Sequence, residues 1–272
     1  MYMGICPHTE RKEGKTLLCT IQQLQEYELE MVKYVTEICD RHNIPYYLHA
    51  GSALGAIRHK GPIPWDYDTD IMVPENEIKR FILVVGAELP DKYYVNTMDN
   101  DDEYYTLFPR IGLSGYSTEE LHLDVFRMIG APESVSAQKK LVKRAAFLRK
   151  CVMCKVRKKG DLNRKERILK TALLPIPKNV IVRLFDRLCN AVPFDQAKWV
   201  TNPFGRYGMK NMFRKEVYGK GVMVEYGGMQ VRVAEQTDFY LKQYYKDYTK
   251  LPPEDKRKKA MEMIYTVEEK HV

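Results

Sequence analysis

Residues 46–73, YYLHAGSALGAIRHKGPIPWDYDTDIMV, constrain this chain more than any other stretch, because alternating aspartates run straight into an apolar segment. In extended backbone successive side chains point to opposite faces, so Asp66, Asp68 and Asp70 project to one side while Tyr67, Thr69 and Ile71 project to the other. Carboxylates sharing a face repel one another, and a divalent cation is the simplest partner that stabilises them. Hard oxygen ligands select magnesium or manganese. The run Ile71-Met72-Val73 reads as a strand entering a core, which predicts the acids at a strand end open to ligand.

The upstream half extends this reading. Tyr46 to His49 reads as a short strand, Gly51-Ser52 as a tight turn, and Ala53 to Arg58 as the start of a helix. Backbone amides at such a helix start attract phosphate, and Arg58, His59 and Lys60 add donors for its oxygens. A Gly-Ser pair alone is only a turn, and an acidic run alone is only a solvated loop. Their conjunction, with the acids ending in an apolar run, predicts an anion site beside a metal site.

The segment AGSALGAIRHKGPIPWDYDTDI resembles the signature of the LicD family, which carries Gly-(Ser/Thr)-Leu-Leu-Gly, Arg-His and Ile-Pro-Trp-Asp-Asp-Asp-Ile-Asp. Residues 121–126, LHLDVF, are similar to that family's isoleucine-aspartate-isoleucine-phenylalanine strand, and residues 240–253 are similar to its C-terminal ending. Tyr67 and Thr69 depart from the pattern on the side away from the acids, Lys246 stands where Gly is common, and Arg127 stands where Pro is common. The resemblance implies an α/β (α+β) fold: a nucleotidyltransferase-like mixed sheet flanked by helices, with an added basic helical region. It implies one catalytic domain over 1–272, with a core at 20–135, a basic helical insertion at 136–192 and a returning lobe at 193–272. It also implies that Asp124, a carboxylate in an apolar strand, joins Asp68 and Asp70 as a third metal ligand. Pairing with a structural Arg or Lys is the alternative for Asp124, and Arg110 is expected to bind phosphate or neutralise the acids.

The implied activity is divalent-metal-dependent transfer of a phospho-alcohol, phosphocholine first, from a CDP-alcohol such as CDP-choline to a hydroxyl of a cell-surface glycan or its lipid-linked precursor. Asp66 is then an outer ligand or orienter, and Gly51 and Ser52 cradle the phosphates with Arg58. A choline cation needs aromatic faces, which 19 Tyr and 2 Trp can supply. Trp65 and Tyr67 lie nearest the acids, with ordinary packing as the simpler role for Trp65. The competing classes are a nucleotidyltransferase that consumes a nucleoside triphosphate, and a non-catalytic binder of polyanions or membrane.

Charge is unevenly placed. Residues 138–170 hold fourteen Lys and Arg against Asp161 and Glu166, a local net of +12 in a chain of +8, so the remainder carries −4. Leu141, Val142, Ala145, Leu148, Val152 and Val156 recur among these charges at helical spacing, predicting a basic amphipathic helix. Such a surface binds polyanions or is a plain solvated helix; among the polyanions, the family resemblance implies an anionic membrane face carrying a lipid-linked acceptor, with the donor's own phosphates as alternative and nucleic acid not expected. No apolar run approaches the roughly 18 residues of a span, and the opening lacks a secretory pattern, so the expected location is cytoplasmic, peripheral to the inner face of the membrane. Scattered cysteines suit free thiols, and Cys151-x-x-Cys154 alone is a weak zinc signal.

Overall fold

The computed structural model describes residues 16–205 and 207–270. β1 (Thr16–Thr20) ends on a capping box: the Gln23 amide donates to Thr20 Oγ1, and the Thr20 amide donates to the Gln23 side chain. Apolar residues at Leu24, Tyr27, Met31, Tyr34, Val35 and Ile38 predict an amphipathic helix over 21–41, and that box starts α1 (Ile21–Arg41), which buries Leu24, Met31, Val32, Val35 and Ile38. The chain then reverses through Asn43, at φ 53°, into β2 (Tyr47–Leu48) and α2 (Ala50–His59). β3 (Thr69–Pro74), α3 (Ile78–Glu88), β4 (Tyr93–Asn96), β5 (Arg110–Leu113) and β6 (His122–Ala131) complete the first half of the sheet.

Three helices follow: α4 (Val135–Val156), α5 (Arg164–Ala172) and α6 (Lys178–Cys189). The chain returns to the sheet in β7 (Trp199–Thr201) and β8 (Phe213–Arg214), then forms a hairpin from β9 (Val222–Tyr226) and β10 (Met229–Val233). Gly227 and Gly228 make its turn at φ 59° and 83°, values that favour glycine, and a Cβ on Gly227 would strike the Leu29 side chain at 2.5 Å. After α7 (Thr237–Tyr245) and α8 (Glu254–Met261), β11 (Ile264–Glu268) pairs antiparallel with β1.

The main sheet runs β2-β3-β6-β5-β4, with β7 joined to the far end of β6 and β8 to β7. β3 and β6 are parallel and the remaining pairings of this sheet antiparallel, giving a mixed α+β fold. Ile71 and Val73 on β3 and Leu123 and Val125 on β6 are fully buried, so these central strands read as apolar runs broken by Asp70 and Asp124. Two strands differ in length from their sequence reading. The alternating segment 106–113 reads as one strand, but β5 starts at Arg110: Pro109 has no amide to donate and bonds the sheet only through its carbonyl, which accepts from the Val125 amide at 3.0 Å. The strand expected at 121–126 continues to Ala131, because β7, nearly seventy residues on, supplies the partner for its second half.

Pro74-Glu75-Asn76-Glu77, a proline with acids after it, reads as the first turn of a helix, but the helix begins at Ile78. Pro74 closes β3, the Glu75 amide donates to the Met128 carbonyl, and the Glu75 side chain turns inward to a two-pronged contact with Arg127 at 2.6 and 2.8 Å. Arg127 also donates to Asp186 on α6, tying the helical layer to the core. Cys151 and Cys154 are buried in α4, where burial pushes both thiols up and away from the thiolate a metal requires. Cys6 lies outside the described residues. Among the described residues no helix is long and apolar enough to cross a membrane.

Candidate active site

The register of four strands builds one row of polar groups across the sheet. Asp70 on β3 stands opposite Asp124 on β6, and Asp124 stands opposite Arg110 on β5. At the other edge the His49 amide, just beyond β2, donates to the Asp70 carbonyl at 2.9 Å. Side chains directly opposite in adjacent strands share a face, so both carboxylates emerge on the same side. Strand geometry begins only at Thr69, and Asp66 and Asp68 sit in the loop leading into it rather than in a continued strand. All four aspartates nevertheless line one cavity of about 540 Å³, within the usual size range of small-molecule sites.

The two strand acids differ in their partners. Asp124 Oδ1 accepts from Arg110 Nε at 2.7 Å and lies 3.2 Å from His122 Nε2, while Arg110 Nη1 donates to the Thr118 carbonyl. Arg110 is therefore the neutraliser of Asp124, and of its two expected roles phosphate binding is the one this geometry does not show. Burial pushes Asp124 up and Arg110 opposes that shift. Asp70 Oδ1 is buried with no hydrogen-bond partner, and burial followed by the charges of Asp68 and Asp124 raises its pKa well above the usual carboxylate range. Beneath them lies Glu28 of α1, 1% exposed, accepting from Thr69 Oγ1 at 2.7 Å and pushed up chiefly by burial. Nothing in the α1 sequence pattern singled it out, since it sits on the apolar face at helical spacing.

The expected phosphate cradle is built differently from its sequence reading. Gly51 and Ser52 belong to the first turn of α2, and the strained residue is Ala50, at φ 41°. The Ala50 amide donates to Tyr240 Oη, and the Ser52 and Ala53 amides donate to the His49 carbonyl, so three amides of this turn are already engaged. Ser52 faces the sheet, where its Oγ accepts from the Asp70 amide at 2.8 Å; it positions Asp70 and does not line the cavity. Gly51 does line it, and a Cβ there would come within 3.0 Å of Asp66 Oδ2.

Of the basic trio, Arg58 alone lines the cavity, with Nη1 donating to the Tyr248 carbonyl. His59 accepts from Arg58 Nε and packs edge-on against Trp65. Lys60 closes α2 in a left-handed conformation and pairs with Glu225 on β9, away from the acids. Trp65 lines the cavity, but its ring carries the guanidinium groups of Arg58 at 5.6 Å and Arg257 at 5.3 Å. Its faces thus already serve cations of this chain. Tyr67 packs at a tilt against Tyr265, ring centroids 4.9 Å apart, and does not line the cavity.

Other residues of the wall come from parts of the chain that no local pattern connects to the aspartates. His49 is buried, with burial holding its imidazole down at about 3 and hence neutral. Asn202 Oδ1 accepts from the Phe204 amide, so its Nδ2 donates to His49 Nε2 and the ring proton sits on Nδ1, facing Tyr240 Oη at 2.9 Å. Phe108, Phe126, Phe204, Tyr207, Tyr245 and Tyr248 supply an aromatic lining, and Asp247 and Lys250 complete the rim.

Among the described residues no three His, Cys, Asp or Glu side chains converge as a ready-made metal cage. Asp68, Asp70 and Asp124 share the cavity, and of the three Asp124 has its Oδ1 engaged by Arg110 and His122. The donor chemistry still suits a hard divalent cation. Asp70 presents an unpartnered buried oxygen beside Asp68, and magnesium is commonly held by one or two carboxylates with water and substrate phosphate filling the remaining positions.

Residues 43–158, which contain this acid row and α2, match the model of the LicD/FKTN/FKRP nucleotidyltransferase domain. The chain is also 28% identical over 257 residues to the lipopolysaccharide cholinephosphotransferase LicD of Haemophilus influenzae, covering 88% of this chain and 95% of that protein. The family model thus matches a little under half of this chain, and the similarity to the cholinephosphotransferase extends over most of the rest. The chain is similar as well to the ribitol 5-phosphate transferase FKRP of Mus musculus, 28% identical over 44% of this chain and 27% of that protein, and to its Homo sapiens counterpart, 26% identical over 48% and 29%. Arg127, at a position where the family resemblance leads one to expect proline, does not end the strand. It holds Glu75 and Asp186 while β6 continues through it.

Proposed function

We propose that this chain, a transferase of phosphate-containing groups, moves a phospho-alcohol from a CDP-alcohol to a hydroxyl of a glycan, with CDP-choline as the first candidate donor. The observation that carries the reading is the convergence of Asp66, Asp68, Asp70 and Asp124 on one cavity in a chain that matches nearly the full length of a cholinephosphotransferase.

The lining has five aspartates, counting Asp247, against Arg58 and Lys250. A donor diphosphate entering so acidic a space requires a cation to offset repulsion. Asp68 and Asp70 would hold a magnesium ion, with Asp124 beside them; when bound, it supplies charge neutralisation for the diphosphate. Arg58 reaches the same cavity and is placed to contact donor phosphate oxygens. The acceptor hydroxyl forms a new O–P bond at the phosphorus bearing the alcohol, the P–O bond to the cytidine monophosphate breaks, and the hydroxyl proton passes to a cavity carboxylate. The burial that lifts Asp70 and Asp124 makes carboxylates of this cavity better proton acceptors than exposed ones. His49, neutral and locked between Asn202 and Tyr240, holds the wall and its strained Ala50 in place.

A choline headgroup would lie against Tyr207 and Tyr245 rather than Trp65, whose ring is already occupied by arginines. Incubating the protein and magnesium with a panel of CDP-alcohols, and following cytidine monophosphate release with and without glycan acceptor, tests the reading. Release from CDP-choline, and from CDP-ribitol or CDP-glycerol more slowly, is the expected result. Consumption of a nucleoside triphosphate with pyrophosphate release would replace it with nucleotidyl transfer.

A further inference from the structure

The layer formed by α4, α5 and α6 carries a surface that the cavity chemistry does not use. Some of its basic residues have structural duties: Lys155 Nζ donates to the Leu173 carbonyl, Lys170 Nζ to the Lys155 and Arg157 carbonyls, and Lys150 pairs with Glu166. Lys158, Lys159, Arg164 and Lys165 remain exposed, as do Arg183 and Arg187 on α6. Only Asp161 and Glu166 oppose the fourteen cations of residues 138–170.

Apolar side chains stand exposed among these charges. α5 buries none of its side chains, and Ile168 on it is 64% exposed. Leu174 and Ile176, in the turn to α6, are 68% and 37% exposed, and Val180 and Leu184 follow one turn apart on α6 itself, both exposed. Ile181, Phe185 and Cys189 fill the inner side, so the outer stripe is not needed for packing. Arg183 and Arg187 form the row beside the stripe. The hydrogen bonds from Lys155 to the Leu173 carbonyl and from Lys170 to the Arg157 carbonyl bring the basic end of α4 against the α5–α6 turn, beside Leu174 at the start of the apolar stripe.

We propose that this face seats the protein on an anionic lipid bilayer. The side chains of Leu174, Ile176, Val180 and Leu184 enter the boundary between headgroups and acyl chains, and the surrounding Lys and Arg pair with lipid phosphates. Two observations select this occupant. A second copy of the chain would set a strongly positive face against its own like, and nucleic acid would satisfy the cations while leaving the exposed aliphatic stripe unpartnered. The inference stands on the helical layer alone and is independent of the transferase reading.

Flotation of the full chain with phosphatidylcholine vesicles, with and without phosphatidylglycerol, tests it. Binding to the anionic vesicles should exceed binding to neutral ones by at least about tenfold, since each Lys or Arg near an anionic leaflet is worth roughly fivefold in affinity. The pair Lys158→Glu with Lys159→Glu, and the pair Val180→Ser with Leu184→Ser, should each lower anionic-vesicle binding by about tenfold or more at unchanged melting temperature. Absence of binding to anionic vesicles overturns the proposal. So does a serine pair that binds as tightly as the parent, which would make the face a purely ionic site for a soluble polyanion.

Discussion

Asp70 and Asp124 stand opposite one another on adjacent parallel strands, and their side chains meet different fates: Asp124 Oδ1 accepts from Arg110, whereas Asp70 Oδ1 is buried without a donor. A fold that keeps a buried carboxyl oxygen unpartnered beside other acids sacrifices stability for function, the arrangement expected where a ligand or ion completes the site.

Replacing Asp70 with Asn should therefore separate activity from stability. Turnover should fall by at least about a hundredfold, as expected for loss of a group acting on the transferring phosphate. The fold should gain about 1 kcal/mol from relief of repulsion, a rise of about 2–4 °C in Tm for a chain of this size. Thermal unfolding of both proteins with chelator present, together with product assays, checks this; a variant that is active, or clearly less stable, contradicts the site.

The pH dependence of that difference has a defined sign. The folded-state pKa of Asp70 is raised, so between the ordinary value of 3.8 and the raised one the native state binds more protons than the unfolded chain. Stability assigned to Asp70 is therefore lost as pH rises through the raised value and regained as pH falls toward 3.8. His49 acts oppositely: its pKa is held at about 3, so its contribution is complete above 6.5 and lost as pH falls below that value. Comparing wild type with Asp70→Asn cancels the histidine. The stability gap between them, from urea midpoints, should shrink between pH 8 and pH 5, and a gap that widens would contradict the burial of this acid.

Arg110→Ala leaves Asp124 buried without its counter-ion and should destabilise the fold by about 3 kcal/mol, the usual cost of breaking a buried pair from one side. Adding Asp124→Asn should return much of that loss, because the amide needs no counter-charge. Additive losses in the double variant, measured by chemical denaturation, would mean that the two residues are not coupled.

Tyr207→Ala and Tyr245→Ala should discriminate between donors. If these rings face the headgroup, KM for CDP-choline should rise by about tenfold while KM for CDP-glycerol or CDP-ribitol changes little, because only choline carries a fixed cation. Trp65→Phe should be nearly neutral for either, its ring being engaged by Arg58 and Arg257. Equal losses for all donors would assign the tyrosines to the shape of the cavity.

Much of this architecture was legible in local pattern. α1 appears with the bounds its three-and-four spacing indicates, because an amphipathic helix is written in neighbouring residues. The apolar run after the aspartates marked β3, whereas the alternation of Asp66, Asp68 and Asp70 did not make one extended strand, since only Asp70 lies within β3 and the other two line the cavity from the loop before it. The second half of β6 was not legible, because its partner β7 is distant in sequence and pairing depends on topology. Nor were Ser52 turned to the Asp70 amide, Arg110 committed to Asp124, or Lys60 drawn to Glu225.

The sequence by itself thus determined which chemistry this chain carries: clustered carboxylates entering a strand, basic residues beside them and a separate basic helical segment. Tertiary structure decided which of those groups remain available. Pairing β3 with β6 brought Asp124 to Asp70, pairing β5 with β6 then neutralised only Asp124, and Tyr207 and Tyr245 arrived from far along the chain to close the wall. The reason is physical: local spacing determines the direction of a side chain, but its charge state and partners depend on what the fold buries against it.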